Sequence, residues 1–299
     1  MWPELSSMHL AWLGGLLGLM IGSFLNVVIH RLPLIMQAQW ARECAELTAQ
    51  VTTAVTPGQS GQSVLTQEPA PLSLSLPRSR CPHCSHTIAW HENIPVLSYL
   101  LLRGKCSACG TAYGLRYPLV EFFTGVLFYG CVLRWGANYS AMAWCVFSAA
   151  LLTLALIDWD TTLLPDEITL PLLWGGLIAA ALQINPGVSL IDAFWGAVGG
   201  YLSLWLVYHA FKLITGKEGM GYGDFKLFAA LGAWFGWTAL LPMILMASVA
   251  GAAVGLVLKH RAQLLDDAYL PFGPFLAASA LLMMAWGPAD FVRYLGLAL

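Results

Sequence analysis

Leu156-Ile157-Asp158-Trp159-Asp160-Thr161-Thr162-Leu163-Leu164-Pro165-Asp166-Glu167 separates two apolar runs, 139–157 before it and 168–184 after it. Each run approaches the roughly 20 apolar residues that a helix needs to cross a bilayer core about 30 Å thick. The stretch therefore reads as a polar turn at a membrane face, and it carries four acids. Six more runs of similar character lie at 8–30, 117–135, 190–213, 225–240, 241–258 and 271–289, with the division between 225–240 and 241–258 set only by Trp237 to Pro242. The pattern predicts an all-α polytopic membrane protein of about eight transmembrane helices.

Composition agrees. Of 299 residues 58% are hydrophobic and 10% charged, against about a quarter charged in a soluble domain. The lipid bilayer is thus the expected surrounding. A net charge of -2 offers no basic excess to hold nucleic acid by counterion release. The first run, His9 to Ile29, has only Glu4 as a charged residue before it and no small-residue cleavage site after it, and reads as a retained span.

Cationic residues give a second test of the span count, because they collect on the cytoplasmic side. With the N-terminus outside, Arg31, Arg42, Arg78, Arg80, Arg103, Lys105, Arg116, Lys212, Lys217, Lys226, Lys259 and Arg261 fall inside, and only Arg134 and Arg293 outside. The chain then divides into a first span (1–30), a cytoplasmic insert (31–116) and a membrane domain of about seven spans (117–299). Within the insert, Trp40, Cys44, Leu47 and Val51 share a helical face, predicting a short amphipathic helix over Gln37 to Val55. Thr56 to Ser79 is rich in Pro, Gly, Gln and Ser and reads as a linker.

Cys81-Pro-His-Cys84 and Cys106-Ser-Ala-Cys109 follow it. Two Cys-x-x-Cys pairs at this separation suit a zinc ribbon, in which four thiolates close a tetrahedral Zn²⁺ site of structural kind. Gly110 tolerates the turn after the second pair. A thiol oxidoreductase is the competing reading, but redox exchange needs one pair, and structural thiols stay reduced in the cytoplasm. His83 and His86 could replace a cysteine, but read better as loop residues. Cys44, Cys131 and Cys145 are scattered.

Ionisable residues at membrane depth are costly and mark function. The second acidic segment, Gly221-Tyr222-Gly223-Asp224-Phe225-Lys226, starts the sixth span on the face where the opening stretch leaves the third. Two aspartates brought together share a proton and act as general base and general acid on one water. Gly221 and Gly223 remove side chains where a substrate backbone would approach. Asp158 and Asp160 compete as partner of Asp224, since two residues apart on a helix they diverge by about 200°. Asp158 is preferred because it closes the apolar run; Asp160 is the alternative. Asp166 reads as an N-cap of the next span; the alternative for Asp224, a cap of the sixth span with Lys226 beside it as a headgroup contact, does not explain the two glycines before it.

Taken with Gly22-Ser23-Phe24-Leu25-Asn26-Val27-Val28, His30-Arg31-Leu32-Pro33, Glu92-Asn93-Ile94-Pro95, Ser98-Tyr99, Arg103-Gly104-Lys105, Arg116-Tyr117-Pro118 and Glu121, these motifs resemble the type IV prepilin peptidases, which share their aspartate motifs in outline with presenilin-like membrane aspartyl proteases. The resemblance implies that Asp158 and Asp224 are catalytic and that the substrates are prepilins and type II secretion pseudopilins. Their basic leader would be cut at the cytoplasmic face of the bacterial inner membrane. It also implies N-methylation of the new N-terminus from S-adenosyl-L-methionine. The chain has no Gly-rich dinucleotide-type fingerprint, so a methyl-donor site is placed near the cysteine module, with Gly104 and Lys105 as candidates.

Two other classes compete with a protease of this kind. An ion transporter would place its acids near the bilayer midplane rather than at one face. A zinc protease would need His-Glu-x-x-His and an open metal position.

Overall fold

A computed structural model describes residues 7–55, 73–81, 83–185, 187–217, 219–261 and 270–287. Among the described residues there is no strand, only isolated bridges joining Arg80 with Thr87 and Lys105 with Ala112. The α-helices in chain order are α1 (Ser7–Val55), α2 (Leu97–Leu101), α3 (Arg116–Trp135), α4 (Tyr139–Thr161), α5 (Asp166–Ala181), α6 (Leu190–Thr215), α7 (Tyr222–Phe235), α8 (Leu240–His260) and α9 (Gly273–Trp286).

Among the described residues, five helical stretches are long and apolar enough to cross a membrane: Ser7–Ala49, Arg116–Trp135, Tyr139–Thr161, Leu190–Thr215 and Trp237–His260. The other three expected spans are helices of 16, 14 and 14 residues, α5, α7 and α9. Of these, α7 is buried in protein. Apart from Lys226, every residue from Asp224 to Phe235 is buried, and a helix apolar on all sides belongs to a core. Near its C-terminal end Trp234 and Phe235 pack with Trp144 and Phe147 of α4, the Phe147 and Trp234 rings 4.7 Å apart.

Helix α1 departs from expectation. It continues through Pro33 as one helix of 49 residues instead of stopping near residue 30 and restarting at Gln37. Pro33 removes one donor, but no glycine lies between Gly22 and Gly58 to end the helix. From Gln37 to Ala49 every side chain is exposed, so Trp40, Cys44 and Leu47 share a face that does not pack on the described residues. Residues 56–72 of the expected linker lie outside the described residues. Ser73 to Pro77 form a bend held by Arg31, whose guanidinium donates to the carbonyls of Ser73 (2.9 Å), Leu74 (3.3 Å) and Pro77 (2.7 Å).

Two glycine seams bring helices to backbone contact, as small residues do inside membranes. On α1, a Cβ at Gly18 would lie 2.7 Å from the Thr124 carbonyl, and one at Gly22 2.6 Å from the Glu121 Cα. Between α6 and α7, a Cβ at Gly232 would lie 2.1 Å from the Gly196 carbonyl. The second seam fixes α7 along its length and therefore the residue at its first turn, Asp224.

Candidate active site and metal centre

Helix α4 ends at Thr161, its cap Thr162 being left-handed, φ 55°. Asp158 sits in that last turn and is 4% exposed. One of its oxygens, Oδ2, accepts the backbone N–H of Gly273, first residue of α9, at 2.9 Å. Asp224, also 4% exposed, lies in the first turn of α7, and its Oδ1 is buried without a hydrogen-bond partner among the described residues. The two carboxylates are electrostatic neighbours.

Leu164 stands between the elements that carry them. A Cβ at Gly223 would meet Leu164 Cβ at 2.7 Å, and one at Gly273 would meet Asp158 Oδ2 at 2.6 Å and Leu164 Cδ2 at 3.3 Å. Gly223 therefore serves close packing of α7 on the loop after α4, and not open space for a ligand. Gly221 differs, since a Cβ there would meet only Asp224 Oδ2 and the Gly223 nitrogen, at 3.9 and 4.0 Å. Gly273 was missed from sequence. Its signal was the Pro271-Phe272-Gly273-Pro274 run, a close approach flanked by two prolines.

Asp160 faces away. Its carboxylate is bridged by Arg116 at the start of α3, Nη1 to Oδ1 at 2.8 Å and Nη2 to Oδ2 at 2.6 Å. Asp166 is not the N-cap expected of it. Pro165 holds that position, and Asp166 opens α5 and pairs with Lys226 through contacts of 2.6 and 2.8 Å. Lys226 thereby joins the two aspartate-bearing segments.

In the cysteine module the Sγ atoms of Cys81, Cys84, Cys106 and Cys109 all lie within 4.8 Å of one another, so these four residues could hold a metal ion. The two buried sulfurs accept N–H groups from their own turns, Cys84 and His83 for Cys81, Cys109 and Ala108 for Cys106. These bonds favour the thiolate, lowering Cys81 and bringing Cys106 down to about 6. Gly110 follows at φ +72°. His86 turns to Glu92, Nε2 to Oε2 at 3.3 Å, and the sulfur cluster is complete without it. Glu92 is held at about 2 by the Ser107 hydroxyl first, then the Ala89 N–H and His86.

Gly104 lies at φ +67°, where a Cβ would strike the Tyr99 ring at 2.7 Å, while Lys105 is exposed beside it. Packing accounts for this glycine without a bound donor. The module is tied to the helices by the buried Glu121 of α3, which accepts the Val96 N–H at 2.8 Å, while Asn26 of α1 donates to the Tyr117 carbonyl in the first turn of α3 at 3.1 Å.

Comparison with known proteins follows the same two parts. Residues 16–135 match the bacterial peptidase A24 N-terminal domain, and residues 145–256 match the type IV leader peptidase family. The chain belongs to the type IV leader peptidase family. Within it, the protein named prepilin leader peptidase/N-methyltransferase in Stutzerimonas stutzeri is 48% identical over 285 residues, covering 94% of this chain and 92% of the relative. Its namesakes in Pseudomonas aeruginosa (46% over 285 residues; 95% and 92% covered) and Aeromonas hydrophila (47% over 280 residues; 94% and 92% covered) are similar throughout. No solved structure matches the chain.

Proposed function

We propose that the chain is a membrane aspartyl peptidase that removes the leader of prepilins and pseudopilins and then N-methylates the new N-terminus. The observation that carries the first activity is the pair of buried carboxylates, one from the end of α4 and one from the start of α7, with Asp224 Oδ1 free of donors among the described residues. The reaction needs one proton shared between them. The ionised aspartate takes a proton from water as the water oxygen attacks the scissile carbonyl carbon, and the protonated one donates to the carbonyl oxygen. Collapse of the tetrahedral intermediate breaks the C–N bond: the leaving nitrogen takes a proton from the aspartate that had acted as base, and the other aspartate takes back the hydroxyl proton as the C=O bond reforms, which restores the shared proton. Gly273, through its N–H on Asp158 Oδ2, orients that carboxylate. Gly221 leaves room for the substrate backbone beside Asp224.

Zinc is the ion the four cysteines suit, and when bound it supplies a closed structural crosslink with no open position for water. The methylation rests on the family and on the names of its relatives. No step is assigned to Gly104 or Lys105. We place the chain in the bacterial inner membrane, with the insert and both aspartates on the cytoplasmic side where the cations gather.

Purified protein incubated with a prepilin, with and without S-adenosyl-L-methionine, tests both activities by product mass. Loss of the leader and a 14 Da gain only with the methyl donor are expected; an intact prepilin overturns the reading. Sidedness is tested with an impermeant thiol reagent on intact cells, in a cysteine-free background. Gly187→Cys is expected to label and Lys217→Cys to label only after permeabilisation, both positions being exposed.

A further inference from the structure

Arg116 is the first residue of α3 and follows Cys109 by seven residues. The chain between them is stitched to the module. Tyr113 donates its N–H to the Gly104 carbonyl at 2.7 Å, Tyr99 donates its hydroxyl to the Tyr113 carbonyl at 3.3 Å, and Cys106 donates its N–H to the Thr111 carbonyl at 2.8 Å. Where Arg116 stands is thus set by how the cysteine module is folded.

From there its guanidinium reaches the last turn of α4, with two contacts to Asp160 and a third, from Nη2 to the Leu156 carbonyl, at 3.4 Å. A planar fork on a carboxylate fixes orientation as well as distance, and a cation at a helix C-terminus is favoured by the helix dipole. Asp158 belongs to the same turn, roughly 200° around the helix, where Gly273 holds its carboxylate. The turn is therefore gripped on two opposite faces, by the module through Arg116 and by α9 through Gly273.

We propose that Arg116 and Asp160 are a positioning pair that carries the placement of the cysteine module to the turn of α4 bearing Asp158. The inference rests on the peptidase reading of Asp158. It makes the module a support for proteolysis through one defined contact, with Asp160 acting on Asp158 and never on the substrate.

The test measures prepilin cleavage by the full chain in lipid nanodiscs, with metal content determined in parallel. Arg116→Gln and Asp160→Asn are each expected to lower kcat about fivefold, the upper range for a partly exposed ion pair, with KM within about twofold and metal retained. The double variant is expected to be no slower than either single one, and the exchange R116D/D160R to regain at least about half of the lost kcat. Cys106→Ser is expected to slow cleavage in the wild-type background and to add nothing to Arg116→Gln. Wild-type kcat in both single variants, losses that multiply in the double variant, or a change in KM alone overturns the pair. Absence of cleavage by the wild-type protein overturns the peptidase reading itself, and the pair with it.

Discussion

The cysteine module and the aspartate site are held together by opposite means. Residues 81–109 contain few buried side chains, too few for a core of their own, and four sulfurs converge where a metal would replace that core. The aspartate site has no such crosslink. It is positioned mainly by packing, with α7 locked to α6 at Gly196 and Gly232, Leu164 filling the space that Gly223 leaves and α9 meeting Asp158 at Gly273, and the Lys226–Asp166 and Arg116–Asp160 ion pairs add polar ties around it. In the first region chemistry at four atoms decides the fold, and in the second the fold places chemistry at two carboxylates. Damage to one should therefore look different from damage to the other.

The largest expected effect lies at the carboxylates. Asp158→Asn and Asp224→Asn each remove a group that must exchange protons, and prepilin cleavage should fall by about 10³-fold or more with metal content and membrane insertion unchanged. Loss of metal in either variant would break the contrast. The opposite lesion, Ser in place of Cys81, Cys84, Cys106 or Cys109, should reduce about one Zn²⁺ per chain to none, because a closed tetrahedral site does not survive the loss of a thiolate. Full metal in all four variants, read by atomic emission, would remove the metal from the account.

Gly223→Ala sharpens the comparison, since its new methyl lies 2.7 Å from Leu164 Cβ. Overpacking of this kind costs roughly 1–3 kcal/mol, and cleavage should drop about 10- to 100-fold without any change in metal. Leu164→Ala in the same chain should restore part of it, and no restoration would show that Gly223 serves something other than this contact. The smallest effect is expected at Gly110→Ala. The position is open, with nothing within 4 Å of the new Cβ, but φ is +72°. The strain of about 1–2 kcal/mol should hasten metal release to a chelator several-fold and leave cleavage within about twofold.

The same contrast explains how far the sequence could be read. Cysteine spacing is local, so the convergence of Cys81, Cys84, Cys106 and Cys109 was legible, as was the turn at Gly110. Asp158 and Asp224 were legible because acids at the ends of apolar runs stand out. Long-range packing was not. Nothing near Gly273 in sequence says that its N–H meets a carboxylate 115 residues away, and hydropathy, which responds to burial in protein as it does to lipid, gives no sign that α7 is surrounded by other helices. Asp166 looked like an N-cap because its partner, Lys226, is 60 residues distant. The first apolar run ends near residue 30, yet the helix continues through Pro33 to Val55.

The glycine seam of α1 also has a timetable. Its partner carbonyl at Thr124 lies about a hundred residues further along the chain, which a ribosome working at roughly 5–20 residues per second needs about 5–20 s to reach. Throughout that interval the face bearing Gly14, Gly18 and Gly22 is in the membrane without α3. The cysteine module is synthesised within the same interval, so it emerges before either helix pair at the aspartates exists. The chain thus builds its cysteine module first and completes the aspartate site only when α9, the last described helix, brings Gly273 to Asp158.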